Sequence, residues 1–240
     1  MGEQNTQEIS AQWYREYYLK KGPNRNDLLT NSGVLFQSLA FQKSVVEALR
    51  TLPISKTWKV LDVGCGVGGS LIQFLGFGFS PNSLYGIDVI PERIEEAKGR
   101  WPTINFTCGD ATAMDYKPNY FDMVLQSGMF FQTKDDDLAR RAADEMLRVV
   151  KPGGYILLID WRYNYGHSEC KHLSRKRIVH LFQVGRKTAI LCRKNGALIP
   201  PLGRFLSTYL SSSYFIVQRL FPFLVGQVTT ILQLNGRGDR

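Results

Sequence analysis

The chain has 240 residues, 44% of them hydrophobic and 21% charged, with four cysteines and a formal net charge of +9. This is a globular composition, long enough for one large α/β domain with an appendage. No run of 18 apolar residues occurs, which excludes a membrane-spanning helix from the sequence reading.

The charge is uneven: residues 161–240 carry 13 Lys and Arg against only Glu169 and Asp239, whereas residues 1–160 carry 17 against 19. A basic C-terminal third suits an anionic partner, whether nucleic acid, a phosphate-bearing substrate or an anionic membrane surface, or else a solvated basic face. Cys65, Cys108, Cys170 and Cys192 are widely spaced with no paired CxxC, and the first thirty residues are polar. Both point to a reducing, cytoplasmic setting with no leader.

Residues 6–19 read as a helix, with Ile9, Trp13, Tyr17 and Tyr18 near helical spacing, and 20–27 as a loop. Residues 31–50 read as a second helix with Leu35, Leu39, Val46 and Leu49 on one stripe. Residues 1–50 are thus read as a helical lid over a bound ligand, the alternative being padding of a sheet edge. The apolar run 59–63 predicts a buried strand, and Gly64-Cys65-Gly66-Val67-Gly68-Gly69 a turn where main-chain N–H groups lie open to a ligand. A helix follows from Ser70.

From there strands and helices alternate. Strands are expected at 83–87, ending at Asp88, and at 104–107, running into Gly109-Asp110-Ala111. Further strands are expected at 121–125 and 155–159. Helices are expected from Pro91 and over 135–150, the second stopped by Lys151-Pro152-Gly153-Gly154. This order predicts an α/β, doubly wound, mostly parallel sheet with its ligand at the carboxyl ends of the strands. In the last third, Ser174 is a candidate cap for a helix to Phe182, and 187–192 a strand. Residues 203–221 read as one apolar helix in an insertion spanning about 198–225, and 227–234 as a final strand. The Arg237-Gly238-Asp239 triplet is read as a chance occurrence.

A strand, a glycine loop and a helix N-terminus suit either a dinucleotide or S-adenosylmethionine. Asp62, just before the loop, would repel a pyrophosphate but hold an ammonium. Asp88 can accept from two ribose hydroxyls in either ligand. Asp110 is placed to accept from an adenine amino group.

With these positions together, the chain resembles the class I S-adenosylmethionine-dependent methyltransferases. Its glycine loop stands as Leu61-Asp62-Val63-Gly64-Cys65-Gly66-Val67-Gly68, its ribose acid as Asp88 and its adenine acid as Asp110. The loop after the fourth strand stands as Leu125-Gln126-Ser127, and a further signature as Leu147-Arg148-Val149-Val150-Lys151-Pro152-Gly153-Gly154. The resemblance spans residues 57–161. It implies a seven-stranded Rossmann-like methyltransferase fold with an antiparallel last strand. It also implies S-adenosyl-L-methionine as cofactor, held by Asp62, Gly64, Cys65, Gly66, Gly68, Asp88, Val89, Asp110, Ala111, Gln126 and Ser127. The flanks, with Trp13 to Tyr18, Arg25 to Leu29 and Asp160 to Asn164, are similar to methyltransferases found with bacterial surface-polysaccharide synthesis.

The expected reaction is O-methylation of a sugar or glycan precursor. The alternatives are a lipid, quinone or small secondary metabolite as acceptor, or a non-catalytic cofactor-binding partner protein. A nucleic-acid acceptor is not expected, because Gln126-Ser127-Gly128-Met129 stands where a base-methylation motif would lie. Hydroxyl acceptors benefit from a general base. Asp160, at the end of the fifth strand, and His167 in the following loop are the candidates. Arg162 and Tyr163 are candidates to orient substrate, and Phe130 to wall its pocket. His167, Cys170 and His172 lack the spacing of a zinc site, so no metal is expected. The apolar segment 203–225 is read as a packed subdomain, as a wall of the acceptor pocket or, with Arg204 and Arg219 beside aromatic residues, as peripheral membrane contact.

Overall fold

The computed structural model describes Gln12, Glu16 and residues 26–164 and 170–236. Most of the predicted helix over 6–19 lies outside these residues. Gln12 and Glu16 are helical, and Gln12 Nε2 donates to Glu16 Oε1 at 3.0 Å.

Seven strands form one sheet: β1 (Val60–Val63), β2 (Leu84–Asp88), β3 (Asn105–Cys108), β4 (Phe121–Ser127), β5 (Val150–Trp161), β6 (Thr188–Asn195) and β7 (Gln227–Leu234). The order is β3-β2-β1-β4-β5-β7-β6. The first five run parallel, while β7 lies antiparallel between β5 and β6. The chain reverses its direction across the sheet between β1 and β4, the place where such sheets open a crevice for a ligand.

Helices cover both faces: α1 (Ser32–Leu49), α2 (Gly69–Gly76), α3 (Pro91–Arg100), α4 (Met129–Gln132), α5 (Asp136–Val149), α6 (Arg175–Leu181), α7 (Pro200–Tyr209) and α8 (Tyr214–Leu220). Leu61, Val63, Val124, Ile156, Leu158 and Leu232 face α5 and α6. Val60, Met123, Leu125, Leu157 and Ile231 face α1, α2 and α3. Alternate residues of the same strands serve both layers, which is why the strands are continuously apolar in sequence. Caps set several helix starts. Asn31 accepts from Gly33 N, Asp135 from Asp137 N and Leu138 N, and Ser174 from Arg177 N.

Three expectations are corrected. Of the stripe proposed for α1 only Leu49 is buried: Leu35, Leu39 and Val46 are exposed, while Val34, Ala40, Ser44, Val45 and Ala48 form the buried face with Leu49. Small residues face inward because α1 lies close on α7, β6 and β7. Ser44 Oγ and Thr229 Oγ1 are 2.7 Å apart, and Gln37 Nε2 donates to Leu198 O at 3.2 Å. The apolar stretch 203–221 is not one helix. Leu210 leaves helical geometry, and Ser211–Ser213 make a 3-10 turn between α7 and α8. Finally, Lys151 to Gly154 belong to β5 as a bulge, with Phe121 opposite Val150 but Met123 opposite Tyr155. The Lys151 ammonium pairs with Asp122 Oδ1 at 2.6 Å across this bulge.

Candidate functional site

The glycine loop is held from beneath by β2. Gly64 N and Cys65 N both donate to Ile87 O, at 2.8 and 3.0 Å. Asp88, the last residue of β2, accepts from Gly66 N at 2.8 Å through Oδ2 and from Ile90 N at 3.0 Å through Oδ1. Gly66 and Gly68 have φ of 54° and 87°. A Cβ on Gly66 would lie 2.8 Å from Arg93 Nη1, and one on Gly68 would lie 2.8 Å from the Phe106 ring. Both positions therefore require glycine. The result is a main-chain cradle leading into the N-terminus of α2.

Asp62 is the third residue of β1, a strand buried throughout, and is 1% exposed. Its Oδ1 has no hydrogen-bond partner. Burial first, and the neighbouring Asp88 second, push its carboxyl well above the usual range, with the Ser70 hydroxyl opposing them. A buried carboxyl short of partners and beside a second acid is suited to accept a cationic group. Cys65 is buried in the same field, and its thiol is pushed far up. It is an inert lining, not a nucleophile.

The end of β3 completes this half. Gly109 N donates to Asp88 O at 3.0 Å, and Asp110 Oδ1 accepts from Thr112 N at 2.7 Å. Asp110 and Ala111 are half-buried, as is Val89. Asp62, Asp88 and Asp110 thus sit at the carboxyl ends of three strands adjacent in the sheet.

The ends of β4 and β5 form the other half. Gln126 is fully buried, and its Oε1 accepts from Met129 N at 2.9 Å. Ser127 follows, and Gly128 N donates to Ile159 O at 2.9 Å. Asp160 is 4% exposed; its Oδ1 accepts from Trp161 N at 2.8 Å and its Oδ2 from Phe131 N at 3.1 Å. Burial pushes its carboxyl up to about 7, against the pull of those two N–H groups, of Gln126 and of the Arg177 charge. Gln126 Nε2 lies without a partner of good geometry beside this carboxyl.

Arg177 is a site residue that the sequence reading missed. It is buried, and its guanidinium donates to the carbonyls of Phe130 and Lys171 at 2.8 Å each and of Thr133 at 2.7 Å. It thereby fixes the backbone of α4 that Asp160 also holds. The only signal in sequence was a charged residue beside Ile178 and one turn before Leu181, on the apolar face of α6.

Other candidates fall differently. Phe130 is fully buried with its ring 5.5 Å from that of Phe182, so it belongs to the core and walls no pocket. Arg162 Nε donates to Val225 O at 2.6 Å and its Nη2 to Pro222 O, while Tyr163 OH donates to Phe223 O at 3.0 Å. Both side chains clamp the C-terminal helices to β5. His167 lies outside the described residues. Among the described residues no group of His, Cys, Asp and Glu is placed to hold a metal ion.

Residues 60–154 match the profile of a methyltransferase domain family. Among curated proteins, the chain is 38% identical over 119 residues to a 2-methyl-6-phytyl-1,4-hydroquinone methyltransferase of Synechocystis, covering 47% of this chain and 34% of that protein. It is 31% identical over 138 residues to a demethylmenaquinone methyltransferase of Renibacterium salmoninarum, covering 58% and 53%. The chain therefore spans about half or less of these relatives' length. Among solved structures, the PH0226 protein of Pyrococcus horikoshii superposes with a TM-score of 0.61 at 16% identity, over 92% of this chain and 99% of that one. A SAM-dependent methyltransferase of Methanosarcina mazei gives 0.58 at 19% identity, over 77% and 95%. The fold is the Rossmann-like methyltransferase fold, whose Methanosarcina mazei member is described as dependent on S-adenosylmethionine. The site fits this cofactor: the unpartnered Asp62 oxygen suits its ammonium, and Gly64, Gly66 and Gly68 leave stretches of main chain with no Cβ along the loop.

Proposed function

We propose that this chain, with a methyltransferase domain over residues 60–154, transfers a methyl group from S-adenosylmethionine to a hydroxylated aromatic ring carrying an apolar tail. The observation that carries the cofactor half is the buried Asp62 carboxyl, with its Oδ1 unpartnered, beside the glycine cradle, with Asp88 and Asp110 on the next two strand ends. When bound, the cofactor supplies a methyl group on a positively charged sulfur, already activated for in-line displacement.

The chain's own residues bind, orient and move a proton. Asp62 holds the ammonium, Asp88 the ribose hydroxyls and Asp110 the adenine amino group. Asp160 accepts the proton of the acceptor hydroxyl. Its carboxyl, raised to about 7, is basic enough for that and still ionised in part at neutral pH. The oxygen so exposed would receive the methyl group that the cofactor supplies; at an activated ring carbon, the proton that carbon carries would be lost in turn.

For the acceptor, two relatives named for prenylated quinols support an apolar aromatic ring. The glycan acceptor expected from the flanks draws on 13–29, largely outside the described residues. It also draws on Arg162 and Tyr163, whose polar groups are engaged with backbone carbonyls. The test is mass analysis of products after incubation with methyl-labelled cofactor and a panel of reduced prenylated quinones, lipids, nucleotide-sugars and glycans. Label in a quinol is expected. Label only in a nucleotide-sugar or glycan would overturn the acceptor, and failure to bind the cofactor in calorimetry would overturn the whole reading.

A further inference from the structure

The C-terminal helices turn apolar side chains outward. Ile216 and Leu220, one turn apart on α8, are 58% and 64% exposed, and Phe223 just beyond is 63% exposed. Phe221 and Phe223 hold their rings 6.0 Å apart. On α7, Phe205 and Tyr209 pair at 5.3 Å with both rings exposed. Such a run of exposed aromatic and aliphatic residues is the mark of an interaction surface. No helix among the described residues is long and apolar enough to cross a membrane.

Arginines gather beside this surface. Arg162 and Tyr163 donate to the carbonyls of Pro222, Phe223 and Val225, so the Phe221–Phe223 turn sits against the end of β5. Leu173 N donates to Trp161 O at 2.9 Å, which brings Arg175, the first residue of α6, to the same end. Arg193 stands on β6, two strands across, opposite Thr230. Partial burial, then the charges of Arg175 and Arg162, disfavour the ionised form of Arg193. Among the described residues, neither Arg175 nor Arg193 has a carboxylate partner. Arginines held near one another without counter-charge leave an attraction that an anion can satisfy.

We infer that this face docks on an anionic lipid surface, with Ile216, Leu220, Phe221 and Phe223 at the acyl boundary and Arg175 and Arg193 on the headgroup phosphates. Charge complementarity selects this occupant. An apolar face alone would equally suit a second copy of the chain, but another copy would bring its own arginines to the contact. Aromatic residues flanked by arginine are the composition that sits in the interfacial layer. Asp160 precedes Arg162 by two residues, so docking would set the carboxyl end of β5 near the lipid. This extends the proposed function by placing an apolar-tailed acceptor within reach, but it stands on separate residues.

The test is co-sedimentation of the full chain with vesicles of phosphatidylcholine alone and of equal parts phosphatidylcholine and phosphatidylglycerol. The wild type is expected to sediment with the second and be released by added salt. Arg175→Gln with Arg193→Gln should cut partitioning about 25-fold, since each charge near such a surface contributes about 5-fold. Phe221→Ser with Phe223→Ser should abolish it even at low salt. Calorimetry with S-adenosylmethionine serves as the folding control, because none of these side chains touches the cradle. A wild type left in the supernatant by both vesicles overturns the inference. So do arginine variants that partition like the wild type, or a dimer in light scattering that the Phe variant dissolves with no change in sedimentation. None of these readouts depends on turnover, so methyl transfer and docking can fail separately.

Discussion

Asp88 Oδ2 accepts the N–H of Gly66 at 2.8 Å, so the acid at the end of β2 holds the glycine loop that follows β1. One carboxylate thus shapes the cradle and, in the function proposed, also meets the ribose. Asp88→Ala should weaken S-adenosylmethionine binding by about 1–3 kcal/mol, or roughly 5- to 150-fold in calorimetry. Unlike a purely ligand-facing acid, it should also lower the melting temperature without cofactor. An unchanged affinity would place the ribose elsewhere.

Gly68→Ala tests the cradle itself. The new Cβ would lie 2.8 Å from the Phe106 ring at a φ of 87°. Left-handed backbone at a non-glycine residue costs on the order of 1–3 kcal/mol. Denaturant titration should show that loss, with cofactor affinity falling as α2 is displaced. Full stability and full affinity would show that the loop relaxes freely.

The stability of the chain should fall as pH rises from about 4 to about 7. Burial lifts the Asp160 carboxyl above its unfolded value to about 7, so the protonated form favours the fold. That contribution is complete below the unfolded pKa and is lost as pH passes through the folded one. Across the window it amounts to about 4 kcal/mol at most. Asp62, also raised, acts in the same direction. Asp160→Asn should flatten much of the slope in denaturant titrations. It should also remove the rise of turnover through pH 7 expected of a base. A variant with the wild-type slope would assign the dependence to other groups.

Arg177→Lys should be severe although charge is kept. A lysine cannot reach the carbonyls of Phe130, Lys171 and Thr133 together. The buried carbonyls left without donors should cost about 3 kcal/mol in unfolding, and turnover should drop more than cofactor affinity. Equal losses in both would give Arg177 a purely structural role.

The parallel half of this fold was legible because each strand end carries its own chemical mark: Asp62, Asp88, Asp110 and the turn before Tyr155. Short apolar strands bounded by glycine or acid leave little choice of register or order. The helices of the last third were not legible in the same way. Nothing in a period-3.6 pattern separated one long helix from α7 and α8, because the serines that break it are also tolerated inside helices. Residues 31–50 carry apolar residues nearly all round, so the stripe chosen through Leu35 and Leu39 was as regular as the true one through Ala40 and Ser44. The role of Arg177 was invisible because its partners are backbone carbonyls, which no side-chain motif records.

The docking of α1 on α7 has a consequence for the order of assembly in the cell. The N–H of Phe36 finds its acceptor in Ser207 Oγ, 171 residues later. At ordinary translation speeds those residues take roughly ten to thirty seconds to appear. Until then the inner face of α1 has no α7 to cover it. Assembly at this end of the sheet must therefore wait until α7 has been made, whereas β1 to β4 can pair as they emerge. Pausing of the ribosome before residue 200 should prolong the exposure of the inner face of α1.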